Sequence, residues 1–285
     1  MRILKLLLLS GALSLAAACA REAVPEEAPL RVSFSVNLPE GVATKAIADG
    51  GKADQLVFFV FDGEGNLLPK LQDTVAVTGK QATVQAKLLR GRSYTFAFWA
   101  QHAGAYPADA GTLTIPYAQM VNDDNYDAFY GTYPIEDLQG HLTASVTLKR
   151  PFAQVNAGIS HADSLYAAGL GVDVEKVKTG FSFYAPATLN LFDGTPGEPQ
   201  EVETAPVTGP WDRFATSGDQ TYTRAGFIYV LPYQAEDVLE GLSISFHGKQ
   251  GQTDFTFSKT IDNVPINPNH QTHILGTIFE GRLIP

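Results

Sequence analysis

The sequence holds a single cysteine in 285 residues, Cys19, so no disulfide can form within the chain. Charged residues are sparse at 18 %, and 20 basic residues stand against 30 acidic ones, for a formal charge of −10. A surface of that sign repels phosphate backbones, so nucleic acid is not an expected partner. No apolar run reaches the roughly 20 residues of a membrane-spanning helix. Helical periodicity is scarce as well, and only residues 160–168 and 234–239 allow short helical turns. No G-x-S-x-G elbow, no H-E-x-x-H pair and no phosphate-cradling glycine loop occurs, so neither an enzyme nor a bound cofactor is expected. What the chain has in quantity is Gly (26), Phe (17) and Tyr (11), the composition of a β-rich extracytoplasmic protein.

The chain opens with Arg2 and Lys5, then an apolar run over residues 6–18 that ends in three alanines before Cys19. This is the charged, apolar and small-residue sequence of a signal peptide (residues 1–18). Small residues followed at once by cysteine resemble a lipobox, in which the thiol is acylated, for example with palmitate, and becomes the new N-terminus. The other reading is an ordinary secretory signal with a chance cysteine. On the first reading Cys19 carries the lipid and holds the protein to the outer membrane. Loss of Arg2 and Lys5 with the leader takes the charge from −10 to −12, leaving the lipid as the expected membrane contact. Residues 19–29 then form a flexible tether, with Pro25, Pro29 and the acidic Glu22, Glu26 and Glu27. Acidic residues there resemble surface-export signals of Bacteroidota lipoproteins and equally suit a plain solvated linker.

Beyond the tether, period-two alternation dominates. Val32, Phe34, Val36 and Leu38 lie on one face of a first strand. Residues 56–61 (LVFFVF) are apolar on both faces and predict a central, covered strand, and residues 83–88, 93–99 and 142–148 alternate again. Residues 104–140 read as a long polar and aromatic excursion. Pro151 interrupts the ladder, because proline cannot donate a sheet hydrogen bond. Further strands are expected over residues 152–158, 172–184, 227–231, 242–246, 255–258 and 272–278, with an irregular stretch at 193–217. The pattern predicts an all-β chain of two sandwiches, residues 30–150 and 151–285, divided near Arg150.

Three constellations could carry chemistry. Asp123, Asn125 and Asp127 are spaced like the opening of a calcium loop, but position 128 is Ala and position 134 is Pro where that loop needs Gly and Glu, so a solvated acidic loop is expected. His270 and His273 are three apart, which on a strand faces them to opposite sides, so no metal site is expected. Trp99, Tyr106, Tyr117, Tyr126, Phe129, Tyr130, Tyr133 and Trp211 could stack on sugar rings, or could anchor the long excursion to its sandwich; packing is the favoured reading.

Four segments together, the leader with Cys19, residues 44–50 (TKAIADG), residues 150–156 (RPFAQVN) and residues 263–274 (NVPINPNHQTHI), resemble the fimbrillin-like surface lipoproteins of Bacteroidota, a type V pilus-like family. The resemblance spans most of the mature chain and implies tandem transthyretin-like β-sandwiches on a lipid-anchored, surface-exposed protein that builds or decorates a fimbrium. In such pili a protease removes the first strand and a neighbouring subunit refills the groove. Here the exchanged strand would carry Val32, Phe34, Val36 and Leu38, with cleavage between Lys45 and Ala46. The family's cut typically follows arginine, so Lys45 departs from the pattern. The other reading leaves the first strand in place as a normal edge strand. The C-terminal segment 274–285, with Ile278, Phe279, Leu283 and Ile284, is a candidate donor, or simply completes its own sandwich. The expected role is pilus assembly or adhesion, with other pilus subunits or a surface ligand as partners. The alternative is a glycan-binding lipoprotein accessory to polysaccharide uptake, and a hydrolase without a recognisable motif is the weakest class.

Overall fold

The first strand, β1 (Leu30–Asn37), runs through the middle of a sheet. The computed structural model describes residues 28–39, 51–160, 166–217 and 220–276. Cys19, Lys45, Ala46 and the C-terminal apolar residues from Ile278 onward lie outside them. After β1 come β2 (Gln55–Asp62), β3 (Asp73–Ala76), β4 (Gln81–Leu88), β5 (Tyr94–Gln101), β6 (Ala108–Asp109), β7 (Thr112–Thr114), β8 (Phe129–Ile135) and β9 (Leu142–Thr147). Two sheets, ordered β4-β1-β9 and β3-β2-β5-β8, face each other. Between them lies a core into which β1 turns Val32, Phe34 and Val36, β4 turns Val84, and β5 turns Phe96 and Phe98. The alternation has a plain cause: one face of each strand is dry, and a period of two is the only way to keep its apolar side chains there.

Past Arg150 the chain forms β10 (Ala153–Ser160), β11 (Lys178–Pro186), β12 (Thr188–Asn190), β13 (Pro199–Glu203), β14 (Val207–Thr208), β15 (Arg213–Ser217), β16 (Gln220–Val230), β17 (Asp237–Leu239), β18 (Leu242–Gln250), β19 (Thr253–Ile261), β20 (Val264–Ile266) and β21 (Gln271–Gly276). The sheet β15-β16-β10-β21 packs on β13-β11-β18-β19, with β14 also pairing to β11. Each half follows one plan. Its first strand is central, paired antiparallel on one side and parallel on the other to a strand near the half's end: β1 with β9, β10 with β21.

The protein is thus all-β, built of sheets packed face to face, as its alternation predicts. Each of the four larger sheets draws its strands from one side of Arg150, whereas β6 and β7 from one side and β12 from the other join in one small sheet. The 104–140 excursion, read as irregular, holds β6, β7 and β8, and its middle packs into the second half. Asn122, in the left-handed region at φ 59°, accepts the Phe227 N–H at its side-chain oxygen and donates to the Thr208 carbonyl. Asparagine tolerates that conformation better than most side chains. Because this layer lies over β2 and β5, both their faces are dry: Phe59, Phe61, Ala97 and Trp99 join the second core while Phe58, Val60, Phe96 and Phe98 fill the first. Residues 234–239, allowed a helical turn, instead contribute β17, because β20 offers it a ladder. Residues 166–169 are helical.

Candidate functional site: the slot of the first strand

The slot is defined by what holds β1. On one side Leu30 through Asn37 pair antiparallel with Leu88 through Gln81; on the other Val32 through Asn37 pair parallel with Leu142 through Thr147. The expectation of an edge strand is therefore corrected: β1 is central, and its removal would leave β4 and β9 about 10 Å apart with facing rows of unpaired N–H and C=O groups. Val32 and Phe34 are fully buried, Val36 and Leu38 nearly so. Phe34 sits among Phe96 (ring centroids 4.7 Å), Phe98 (5.2 Å) and Tyr133 (5.1 Å), in tilted and edge-to-face contacts. At the far end Asn37 donates its side-chain amide to Ser145 Oγ at 3.0 Å, while its carbonyl accepts the Leu148 N–H at 2.9 Å.

The slot selects by shape and pattern. A strand that fills it needs apolar side chains at four alternate positions and must satisfy an antiparallel and a parallel ladder at once. The four side chains together contribute about 6–12 kcal/mol at 1.5–3 kcal/mol each, comparable to the whole stability of a typical domain. An empty slot is therefore incompatible with a stable folded chain. Tyr133, which closes the pocket over Phe34, was not recognisable from the sequence as part of it, because β8 lies inside the excursion and Pro134 disguises it as a loop.

The other predicted residues have structural occupations. Asp127, read as part of a solvated acidic loop, is buried and ion-paired with Arg150. Asp123 caps the Asn125 N–H at 2.9 Å, and Asp124 accepts the Tyr229 hydroxyl at 3.0 Å. His270 Nδ1 lies 2.8 Å from the Pro268 carbonyl oxygen, and desolvation followed by the charge of Arg224 lowers the pKa of His273. Among the described residues no three His, Cys, Asp or Glu side chains converge as a metal site, and no helix is long and apolar enough to cross a membrane.

Four of the eight aromatic residues are interior, and Tyr126, Tyr130, Tyr133 and Trp211 are half-buried. Trp99, Tyr106, Tyr117 and Phe129 are all buried, and the Trp99 Nε1–H donates to Gln101 Oε1. Tyr106 donates to the Tyr126 carbonyl, and Tyr130 donates to the Leu191 carbonyl at 2.8 Å. The first bond holds the excursion to itself and the second ties it to the second half, so the packing reading describes them and Trp99 cannot stack on a sugar. Trp211, at φ 52°, is partly buried against the second core, and its Nε1–H finds no acceptor among the described residues.

The chain matches no curated protein. Among solved structures it is similar to a candidate polysaccharide-binding protein (DUF1812) from Bacteroides thetaiotaomicron, at 13% identity and TM-score 0.51, over 86% of this chain and 90% of that one. It is also similar to a candidate adhesin from Bacteroides ovatus (12% identity, TM-score 0.48, 80% and 77% covered). A third is the fimbrial anchor protein Mfa2 from Porphyromonas gingivalis (13% identity, TM-score 0.45, 81% and 83% covered). At such identities the first of these likenesses speaks for shared fold. Residues 25–281 match a family of unknown function, DUF6562, and with nearly the whole chain included this protein belongs to that family.

Proposed function

We propose that this chain is a non-enzymatic, fimbrillin-like surface protein, held to the outer membrane by acylated Cys19, that acts in pilus assembly or adhesion by exchanging β1 for a strand of another subunit. The observation that carries the reading is the two-sided pairing of β1. A central strand with four alternate apolar side chains, set next to the N-terminal tether, is a removable plug whose slot accepts only another strand. Cleavage between Lys45 and Ala46 would cut the chain a few residues beyond Leu38 and free β1 together with its lipid. The fold shared with the Bacteroides thetaiotaomicron structure is in keeping with this reading.

Limited trypsin treatment tests the assembly step. Cleavage after Lys45 should give a product that runs as a ladder on a non-boiled gel, and Lys45→Ala should abolish both the cut and the ladder. If the cut product stays a stable monomer, strand exchange is wrong and adhesion without polymerisation is left. The anchor is tested separately: Cys19→Ser should release the protein from membranes and remove fatty-acid labelling, whereas unchanged labelling would reject the lipid.

A further inference from the structure

Tyr184, Tyr233 and Val238 are 61 %, 45 % and 48 % exposed, and all three line one groove of about 290 Å³ on the second half. Scattered apolar surface is ordinary, but large side chains gathered round a concavity mark a binding surface. Tyr184 stands out from the pattern of its own strand. Phe181 and Phe183 turn into the core, Ser182 and Tyr184 turn outward, and the outward position would as readily take a small polar residue.

Both rings stand on fixed backbone. The buried Tyr117 hydroxyl donates to the Pro186 carbonyl at 2.9 Å and accepts the Leu231 N–H at 3.1 Å. That one group therefore ties together the end of β11, two residues after Tyr184, and the residue just past β16, two residues before Tyr233. Asp237 finishes the frame, taking the Tyr233 N–H at 2.7 Å on one oxygen and the Val238 N–H at 2.9 Å on the other. Leu231 and Ile266, both buried, floor the groove. Asp237 and Glu240 stand at its edge, and Glu201 is the cross-strand partner of Tyr184. Each carboxylate oxygen that accepts one backbone N–H keeps capacity for a second donor.

We infer that this groove binds a neutral pyranose unit of a glycan. A pyranose has an apolar C–H face that lies against aromatic rings and an equator of hydroxyls that donate to carboxylates. The acidic edge and the chain's formal charge of −10 disfavour uronic, sialylated or sulfated sugars. The volume sits near the roughly 300 Å³ lower end for small-ligand sites, room for one sugar unit rather than a long stretch of polymer. The inference supplies a ligand class for the adhesive half of the reading above and rests on it only for biological setting; the groove does not involve β1.

The test is a glycan array carrying neutral, sialylated and sulfated glycans, probed with the full chain in detergent. Neutral glycans should be retained and charged ones not. Tyr184→Ala and Tyr233→Ala should each weaken binding about tenfold or more, and Tyr184→Phe should hold it within a few-fold, as loss of one stacking face predicts. Both side chains are exposed, so the variants should keep the native near-ultraviolet circular dichroism. Failure to retain any neutral glycan, preference for charged glycans, or unchanged binding in both alanine variants overturns the inference. Ladder formation by Tyr184→Ala after trypsin keeps the two readings apart. In the native chain, ladders without glycan binding remove only the sugar site, and glycan binding without ladders removes only strand exchange.

Discussion

Arg150 meets Asp127 as a buried two-point ion pair where the two halves of the chain join: Nε to Oδ1 is 2.5 Å and Nη2 to Oδ2 is 2.7 Å. The guanidinium also donates to Asn269 Oδ1 and lies 4.7 Å from the Phe129 ring centroid. One side chain therefore joins the residues just before β8, the start of β8 and the turn before β21. Its planar fork suits this; a lysine could not bind the carboxylate at two points.

Breaking that pair should be costly. Arg150→Met leaves Asp127 buried without its partner and should lower stability by about 3–5 kcal/mol. Arg150→Met combined with Asp127→Leu should recover much of the loss, because two apolar side chains need no compensation. Chemical denaturation of the three variants reads the difference. A single variant as stable as the native chain would show that the pair contributes nothing.

The slot makes a second prediction. Phe34→Ala removes a fully buried ring that touches three others and should cost about 3–5 kcal/mol. Ser35→Ala, on the exposed face of the same strand, should stay within about 0.5 kcal/mol. If strand exchange operates, Phe34→Ala should also speed release of β1 after cleavage at Lys45, seen as faster ladder formation. Equal stability of the two variants would mean that β1 is not held by its inward pockets.

How far the sequence reveals this follows from where each signal lies. Val32, Phe34, Val36 and Leu38 were legible because one wet and one dry face print a period of two. The run at residues 56–61 was legible as covered on both faces, and β2 is. That β1 is central was not legible, since its neighbour β9 lies more than 100 residues on and pairing leaves no local mark. β8 escaped because Gly131 and Pro134 interrupt its pattern. Asp127 read as solvated because nothing near it announces Arg150. The burial of Trp99 depends on Tyr130 and Phe152 as well as the nearby Tyr106, and the first two lie too far along the chain for a window around residue 99 to contain them.

Tyr117 supplies a third prediction. Its hydroxyl makes two hydrogen bonds in a dry site, and its ring packs edge-on to Phe183 at 5.4 Å. Tyr117→Phe keeps the ring and leaves the Leu231 N–H and the Pro186 carbonyl short of a partner, which should cost about 1–3 kcal/mol. The Leu231 amide should also exchange its hydrogen faster than in the native chain. An unchanged exchange rate would show that the hydroxyl does not fix this part of the frame.

The last prediction concerns alkaline pH. Burial pushes the pKa values of Tyr106, Tyr117 and Tyr229 well above the ordinary value of 10.0, and for Tyr106 and Tyr229 the nearby charge of Asp127 pushes the same way. Below pH 10 both the folded and unfolded chains hold these protons, so no stability is lost. Above pH 10 the unfolded chain releases them and the folded chain does not, so the unfolded state gains about 1.4 kcal/mol per group per pH unit. Three groups make roughly 4 kcal/mol per unit, against a total stability of about 5–15 kcal/mol. The fold should therefore fail cooperatively within a few units above pH 10, not by gradual loosening. An alkaline titration should show a step of phenolate absorbance that coincides with loss of the near-ultraviolet circular-dichroism signal. Tyr117→Phe removes one of the three groups and should make the decline with pH shallower. If phenolate absorbance rises to completion while the dichroism signal persists, these tyrosines are not held neutral by the core.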